Sequence, residues 1–163
     1  MGKVFALANR RRGNNVSMYP EEFIAPMRQE LTNIGFRELH TPEEVDAALK
    51  NEKRTTLVVV NSMCGCAAGK ARPAIARALS GKARPEVLLT VFAGQDALAT
   101  ERARSYITGY PPSSPSVALF RDGKLAFMLE RRDIESRDAF AIAADLAFAF
   151  DRFCSTAKSP AAQ

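Results

Sequence analysis

The chain contains no tryptophan, a single histidine and three cysteines among 163 residues. It has no stretch approaching the roughly 18 consecutive apolar residues of a membrane span, so no membrane partner is expected. There is no glycine-rich phosphate loop, since Gly94-Gln95-Asp96 has one glycine and reads as a turn. A closed zinc site needs four ligands, and beyond Cys64 and Cys66 the chain offers only Cys154 and His40 as further soft donors. His40 precedes a capped helix and is expected at the surface. A Cys–His nucleophile pair would depend on that residue alone, with nothing in the pattern to bring it to Cys64. What is present is ordinary: 47% hydrophobic and 25% charged residues, which excludes a disordered chain. A chain of this length buries about 70% of its unfolded surface, enough for one core.

The formal net charge of +5 invites a nucleic-acid reading, but its location argues otherwise. Residues 1–17 carry Lys3, Arg10, Arg11 and Arg12 and no acid, leaving 19 basic and 18 acidic groups in the remainder. The expected organisation is a basic, solvated, flexible arm over 1–17, one domain over 18–154 and a flexible tail over 155–163, with no nucleic-acid partner. Val4 to Ala8 is too short for a signal-peptide core, and its charges follow rather than precede it. The expected compartment is therefore the reducing cytoplasm, where cysteines serve chemistry more often than structure.

Helical spacing of Phe23, Met27, Leu31 and Ile34 marks a first helix, with Pro26 either kinking it or lying near its start. Phe36 to Leu39 is a short strand. Thr41-Pro42-Glu43-Glu44 reads as a capping box opening a helix that runs to Lys50. Thr55 to Val60 is β-branched and apolar on both faces, the pattern of a central buried strand. An Ala-rich helix from Ala67 to Leu79, interrupted by Pro73, follows. Then come a strand Val87 to Phe92, a helix from Asp96 to Tyr106, and strands Ser116 to Phe120 and Leu125 to Leu129 about the hairpin signal Asp122-Gly123. A last helix spans Ser136 to Phe153. The tandem Arg131-Arg132 before it is expected to face solvent, with contact to an anionic ligand as the alternative reading. Alternating strands and helices closed by a hairpin imply an α/β/α layered domain with a mixed sheet.

Cys64-Gly65-Cys66 stands where the central strand ends and a helix begins. Ligands of open α/β sheets gather at the carboxyl ends of strands, and a helix start stabilises a thiolate. Gly65 permits a tight turn, so a disulfide across it closes a small, easily reduced ring. The spacing favours a redox dithiol, and leaves open a soft-metal site for Cu(I) or zinc, or two inert small hydrophobes.

The stretch Leu57 to Ala74, with Asn61-Ser62-Met63-Cys64-Gly65-Cys66-Ala67-Ala68-Gly69 at its centre, resembles the active-site region of the bacilliredoxins. Further matching segments are Val91 to Asp96, Pro112 to Ser116, Arg131 to Glu135 and Pro26 to Leu31, and together the likeness covers roughly 18–154. The resemblance implies a thioredoxin-like fold and a thiol–disulfide oxidoreductase that removes bacillithiol from protein mixed disulfides. Cys64 would be the nucleophile and Cys66 the resolving thiol. Bacillithiol would be the thiol cosubstrate, with no bound cofactor or metal. Ser114-Pro115 matches the position where such proteins place a cis-proline beside the site. The implied partners are bacillithiolated or disulfide-containing proteins met by a monomer or weak homodimer. Other readings of the same thiolates are general protein disulfide isomerisation or reduction, and soft-metal binding. The likeness departs at Cys154-Ser155, where relatives often carry a Cys-Cys pair, and does not include Arg10 to Arg12.

Overall fold

All six residues of Thr56–Asn61 (β2) are buried, as a run that is apolar on both faces requires of a central strand. In the computed structural model, which describes residues 17–155, β2 pairs in parallel with Val87–Phe92 (β3) and antiparallel with Ser116–Arg121 (β4). Arg37–Glu38 (β1) joins the outer side of β3 in parallel, and Lys124–Leu129 (β5) returns antiparallel along β4. The sheet order is β1-β3-β2-β4-β5. Asp122 and Gly123 both take positive φ, 54° and 76°, the geometry that a two-residue hairpin turn matched to strand twist demands. Apart from Ser17 and Ser155, the arm and tail expected at the two ends lie outside the described residues.

Alternation along β2 sends its side chains into two cores. Leu57 and Val59 pack with Leu31 of Glu21–Thr32 (α1), Ile75 of Arg72–Ala78 (α3), and Ile142, Leu146 and Phe150 of Ala139–Cys154 (α6). Val58 and Val60 face Val45 and Leu49 of Pro42–Leu49 (α2) and Ala99 and Ala103 of Ala97–Tyr106 (α4). Helices thus cover both faces of a mixed sheet, giving the three-layer, thioredoxin-like α/β/α sandwich. Among the described residues no helix is long and apolar enough to cross a membrane.

Several details depart from the expectations above. Helix α1 starts at Glu21, so Pro26 lies inside it, and the buried face is Ile24, Arg28 and Leu31 while Phe23 is 60% exposed. A charged residue turned inward, Arg28, rotates the face by one position, or about 100°. The long final helix begins at Ala139, where the Asp138 carboxylate accepts from the Ala141 N–H at 2.8 Å. Ahead of it, Arg131–Glu135 forms a separate short helix (α5), because Glu130 and Asp133 close a reciprocal capping box. Finally, Thr41 caps α2 as expected, but the Glu44 carboxylate reaches back to the His40 N–H, one residue earlier than the capping-box pattern implies.

Arg28 is drawn inward by a polar seam at the carboxyl ends of β1 and β3. Its Nη1 donates to Asp96 Oδ2 at 2.8 Å and its Nε to Glu21 Oε1 at 2.7 Å. His40, its side chain 43% exposed, borders this seam, with Nδ1 3.3 Å from Asp96 Oδ1 and Nε2 3.0 Å from Glu38 Oε2. The hydrogen bond to Asp96 raises the His40 pKa above its ordinary 6.5, with burial and the Arg28 charge opposing and the Glu38 charge assisting. A raised folded-state pKa adds stability that is fully present below the unfolded value and lost as pH rises through the folded one. Wild type should therefore exceed His40→Gln in thermal stability more at pH 5.5 than at pH 8.5. Equal margins at both pH values would show that the imidazolium contributes nothing to this seam.

Candidate active site

The cysteine pair follows β2 by two residues, at the carboxyl end of the central strand. Cys64 and Cys66 are partly exposed free thiols and Gly65 is fully open, with nothing near the place a side chain would take. The chain then enters a π-helical segment, Ala67–Ala71, before α3. Its wider turn lets the Arg72 N–H reach the Ala67 carbonyl, five residues back. Pro73, read as an interruption, instead sits in the first turn of α3, where a missing N–H is tolerated.

Four groups converge on the Cys64 sulfur. Burial pushes its pKa up, but the Ser62 hydroxyl at 3.2 Å, the Ala67 and Cys66 N–H groups, and the Arg131 charge together bring it below the ordinary thiol value of 9.0. Cys66, by contrast, packs against the core shared by α3 and α6. Both thiols are partly exposed, but only the first is electrostatically stabilised, while the second packs against hydrocarbon.

Arg131 has a place at the site that its position after a strand does not spell out. Both arginines are exposed, as a solvent-facing pair should be, and Arg131 Nη1 also donates to the Ser114 carbonyl at 3.1 Å and its backbone N–H to Ser113 Oγ at 3.3 Å. Its Nε also donates to Glu135, and its charge acts on both Cys64 and Cys66. One side chain thus ties the 110–115 loop to the thiol pair. The Ser114–Pro115 bond is cis, Pro115 is buried and Ser114 is partly exposed. Arg104 grips the same loop from below, its Nη2 donating to the Ser113 carbonyl at 3.2 Å. The family likeness includes the Arg131 to Glu135 segment, but no periodicity or spacing assigns Arg131 its contacts, because its partners Ser113 and Ser114 are remote in sequence. Ser62 was findable, standing two residues before Cys64 just past a strand end.

Cys154 lies elsewhere. It sits beside Thr55 at the opposite end of β2, the strand's length or roughly 20 Å from Cys64. Burial raises its pKa, partly offset by a hydrogen bond with Thr55. Among the described residues no group of three or more His, Cys, Asp and Glu side chains is placed to hold a metal ion. The contrast between the two thiols is measurable: at neutral pH iodoacetamide should label Cys64 well before Cys154 in a peptide map. Equal rates would mean that the groups around Cys64 do not activate it.

A partly exposed thiol with a lowered pKa, a second thiol two residues on, and a cis-proline loop beside them on a thioredoxin-like frame define a thiol–disulfide oxidoreductase. Comparison with known proteins agrees. Residues 19–154 match a family model described as Disulphide isomerase. A bacilliredoxin of Koribacter versatilis is 55% identical over 137 residues, covering 84% of this chain and 94% of the relative. Bacilliredoxins of Salinibacter ruber and Geobacillus kaustophilus are 54% and 53% identical, over 88% and 82% of this chain and 85% and 91% of their own lengths. The chain belongs to the bacilliredoxin family.

Proposed function

We propose that this protein works in the cytoplasm to reduce mixed disulfides between client proteins and bacillithiol. The Cys64 thiolate attacks the bacillithiol sulfur, forming a Cys64–bacillithiol disulfide and releasing the client sulfur as a thiolate that takes up a proton. Cys66, after giving up its proton, attacks the Cys64 sulfur and expels bacillithiol as thiolate. The net result is a Cys64–Cys66 disulfide and two thiols, the enzyme losing the two electrons that the mixed disulfide gains. The observation that carries this reading is the asymmetry of the pair: Cys64 is activated by its surroundings, and Cys66 packs against the core. Gly65 gives the small ring its turn, and the loop of Ser114 and Pro115 offers the client a backbone edge on which an extended segment can lie. The protein acts without a bound cofactor, as a monomer or weak homodimer.

A second reading, exchange among ordinary protein disulfides, is favoured by the description of the matching family model. Cys66→Ser separates the two. Mixed with a bacillithiol-modified client, it should stall with one bacillithiol on Cys64, visible as a discrete mass increase. Accumulation of enzyme joined to the client would favour exchange among protein disulfides, because the client sulfur would then be the one attacked. No adduct of either kind would remove Cys64 as the nucleophile.

A further inference from the structure

Ser62 stands immediately beyond β2 and is 7% exposed, with its hydroxyl oxygen 3.2 Å from the Cys64 sulfur. In the thiol form either atom can donate. Once Cys64 has lost its proton its sulfur can only accept, so the hydroxyl must donate. A hydroxyl performs this reliably only if its backbone is held, and the hold here is unusually complete. The Ser62 N–H donates to Asn61 Oδ1 at 2.9 Å. Arg72 Nη1 donates both to that same oxygen and to the Ser62 carbonyl, each at 2.9 Å. Asn61 Nδ2 donates to the Met27 carbonyl at 3.2 Å, anchoring the cluster to α1. Behind Arg72, its Nε donates to Glu30 Oε2 at 2.6 Å.

Arg72 is 3% exposed, whereas the Glu30 side chain is 49% exposed. The guanidinium is therefore buried while its counter-ion stands at the surface. A buried charge is a costly way to fill space, and the neighbouring positions Ala71, Ala74 and Ile75 do so with hydrocarbon. What a guanidinium supplies and an aliphatic side chain cannot is a rigid planar set of donors, so that Nη1 meets two points of the Asn61–Ser62 segment while Nε is held by Glu30. We propose that Ser62 is a catalytic residue that donates its hydroxyl hydrogen to the Cys64 thiolate, and that Arg72, braced by Glu30, is a positioning residue that holds Ser62 in line. This deepens the reading of Cys64 as the nucleophile and rests on it. The lowered pKa of Cys64 accords with the same contact.

The test follows Cys64 alone, in a Cys66→Ser/Cys154→Ser background, by thiolate absorbance against pH and by the rate of iodoacetamide alkylation at pH 6. Ser62→Ala should move the titration upward and slow alkylation about tenfold, as loss of a hydrogen bond to a charged group implies. Ser62→Thr, which keeps the hydroxyl, should stay close to the parent. Arg72→Lys keeps the charge but loses the planar donor set that spans Glu30 and the Asn61–Ser62 segment, and should shift both measurements in the same direction as Ser62→Ala. Added to Ser62→Ala it should do nothing more, because its action passes through Ser62. Should Arg72→Lys fail to fold by circular dichroism, Glu30→Gln carries the same comparison. An unchanged titration in Ser62→Ala would overturn the role of the hydroxyl. An Arg72→Lys or Glu30→Gln effect that persists undiminished without the hydroxyl would overturn the positioning role. In the wild-type protein, alkylation that maps to Cys66 before Cys64 would instead remove the underlying assignment of the nucleophile.

Discussion

Cys64→Ser is expected to bring mixed-disulfide cleavage down to the uncatalysed background, whereas Cys154→Ser should turn over at close to the wild-type rate. The thiolate is the attacking species, and a serine hydroxyl has no comparable anion at neutral pH. The surroundings of Cys64 do not help a replacement either, because the Ser62 hydroxyl, two N–H groups and Arg131 stabilise a negative sulfur that Cys64→Ser no longer offers. Cys154 lacks both requirements of a participant. Burial pushes its thiol up, and it stands at the amino end of β2 while the pair stands beyond the carboxyl end. A disulfide needs Cα atoms within about 7 Å, a distance that roughly a strand's length of separation forbids. Turnover of a bacillithiol-modified client, followed by release of its thiol, checks both variants. A dead Cys154→Ser would sink the two-cysteine mechanism. An adduct that builds up on Cys66 in Cys64→Ser would reverse the two roles.

The site was legible in the sequence wherever its parts are local. The β-branched run of β2 announces a strand buried on both faces, and the cysteines directly beyond it fall at the sheet's carboxyl edge because the chain has nowhere else to go. Asp122-Gly123 encodes its turn in two residues. The parts that escaped notice are those made by long-range contact. Arg131 is a surface arginine as expected, but its bond to the 110–115 loop depends on β5 bringing it there, and the burial of Arg72 depends on Asn61 and Glu30, both distant in sequence. Phe23 satisfied a helical period, yet the face turned away from it because Arg28 found carboxylates inside. Gly94-Gln95-Asp96, read as a plain turn, buries both of its polar side chains: Gln95 pairs with the backbone of Tyr19, and Asp96 with Arg28 and His40. Periodicity finds apolar faces, but it has no means of finding a charge whose partner lies 68 residues away.

That same carboxylate carries the largest expected effect on stability. Asp96→Ala should destabilise the fold by about 3 kcal/mol, the low end of the cost of breaking a buried ion pair. The Asp96 and Arg28 side chains are 7% and 9% exposed, so removing the carboxylate leaves a guanidinium that water cannot readily reach. The low end applies because Glu21, itself 44% exposed, remains on Arg28 Nε. For a domain of this size the loss amounts to roughly 10 °C in melting temperature. Asp96→Asn should cost less than Asp96→Ala, since an amide oxygen still accepts from Arg28 although the charge is gone. Burial pushes the Asp96 pKa up, but hydrogen bonds from His40 and Arg28 and their charges bring it below the ordinary 3.8. A lowered folded-state pKa means stability that is present above the unfolded value and lost as pH falls through the folded one. The margin of wild type over Asp96→Asn should therefore hold at neutral pH and collapse in strong acid. Adding His40→Gln to Asp96→Ala should change little, because the imidazolium has already lost the carboxylate that raises its pKa. Melting curves of the four proteins across pH decide the matter. If Asp96→Ala melts within a degree or two of wild type at pH 7, the seam that joins α1 to the ends of β1 and β3 does not hold them together.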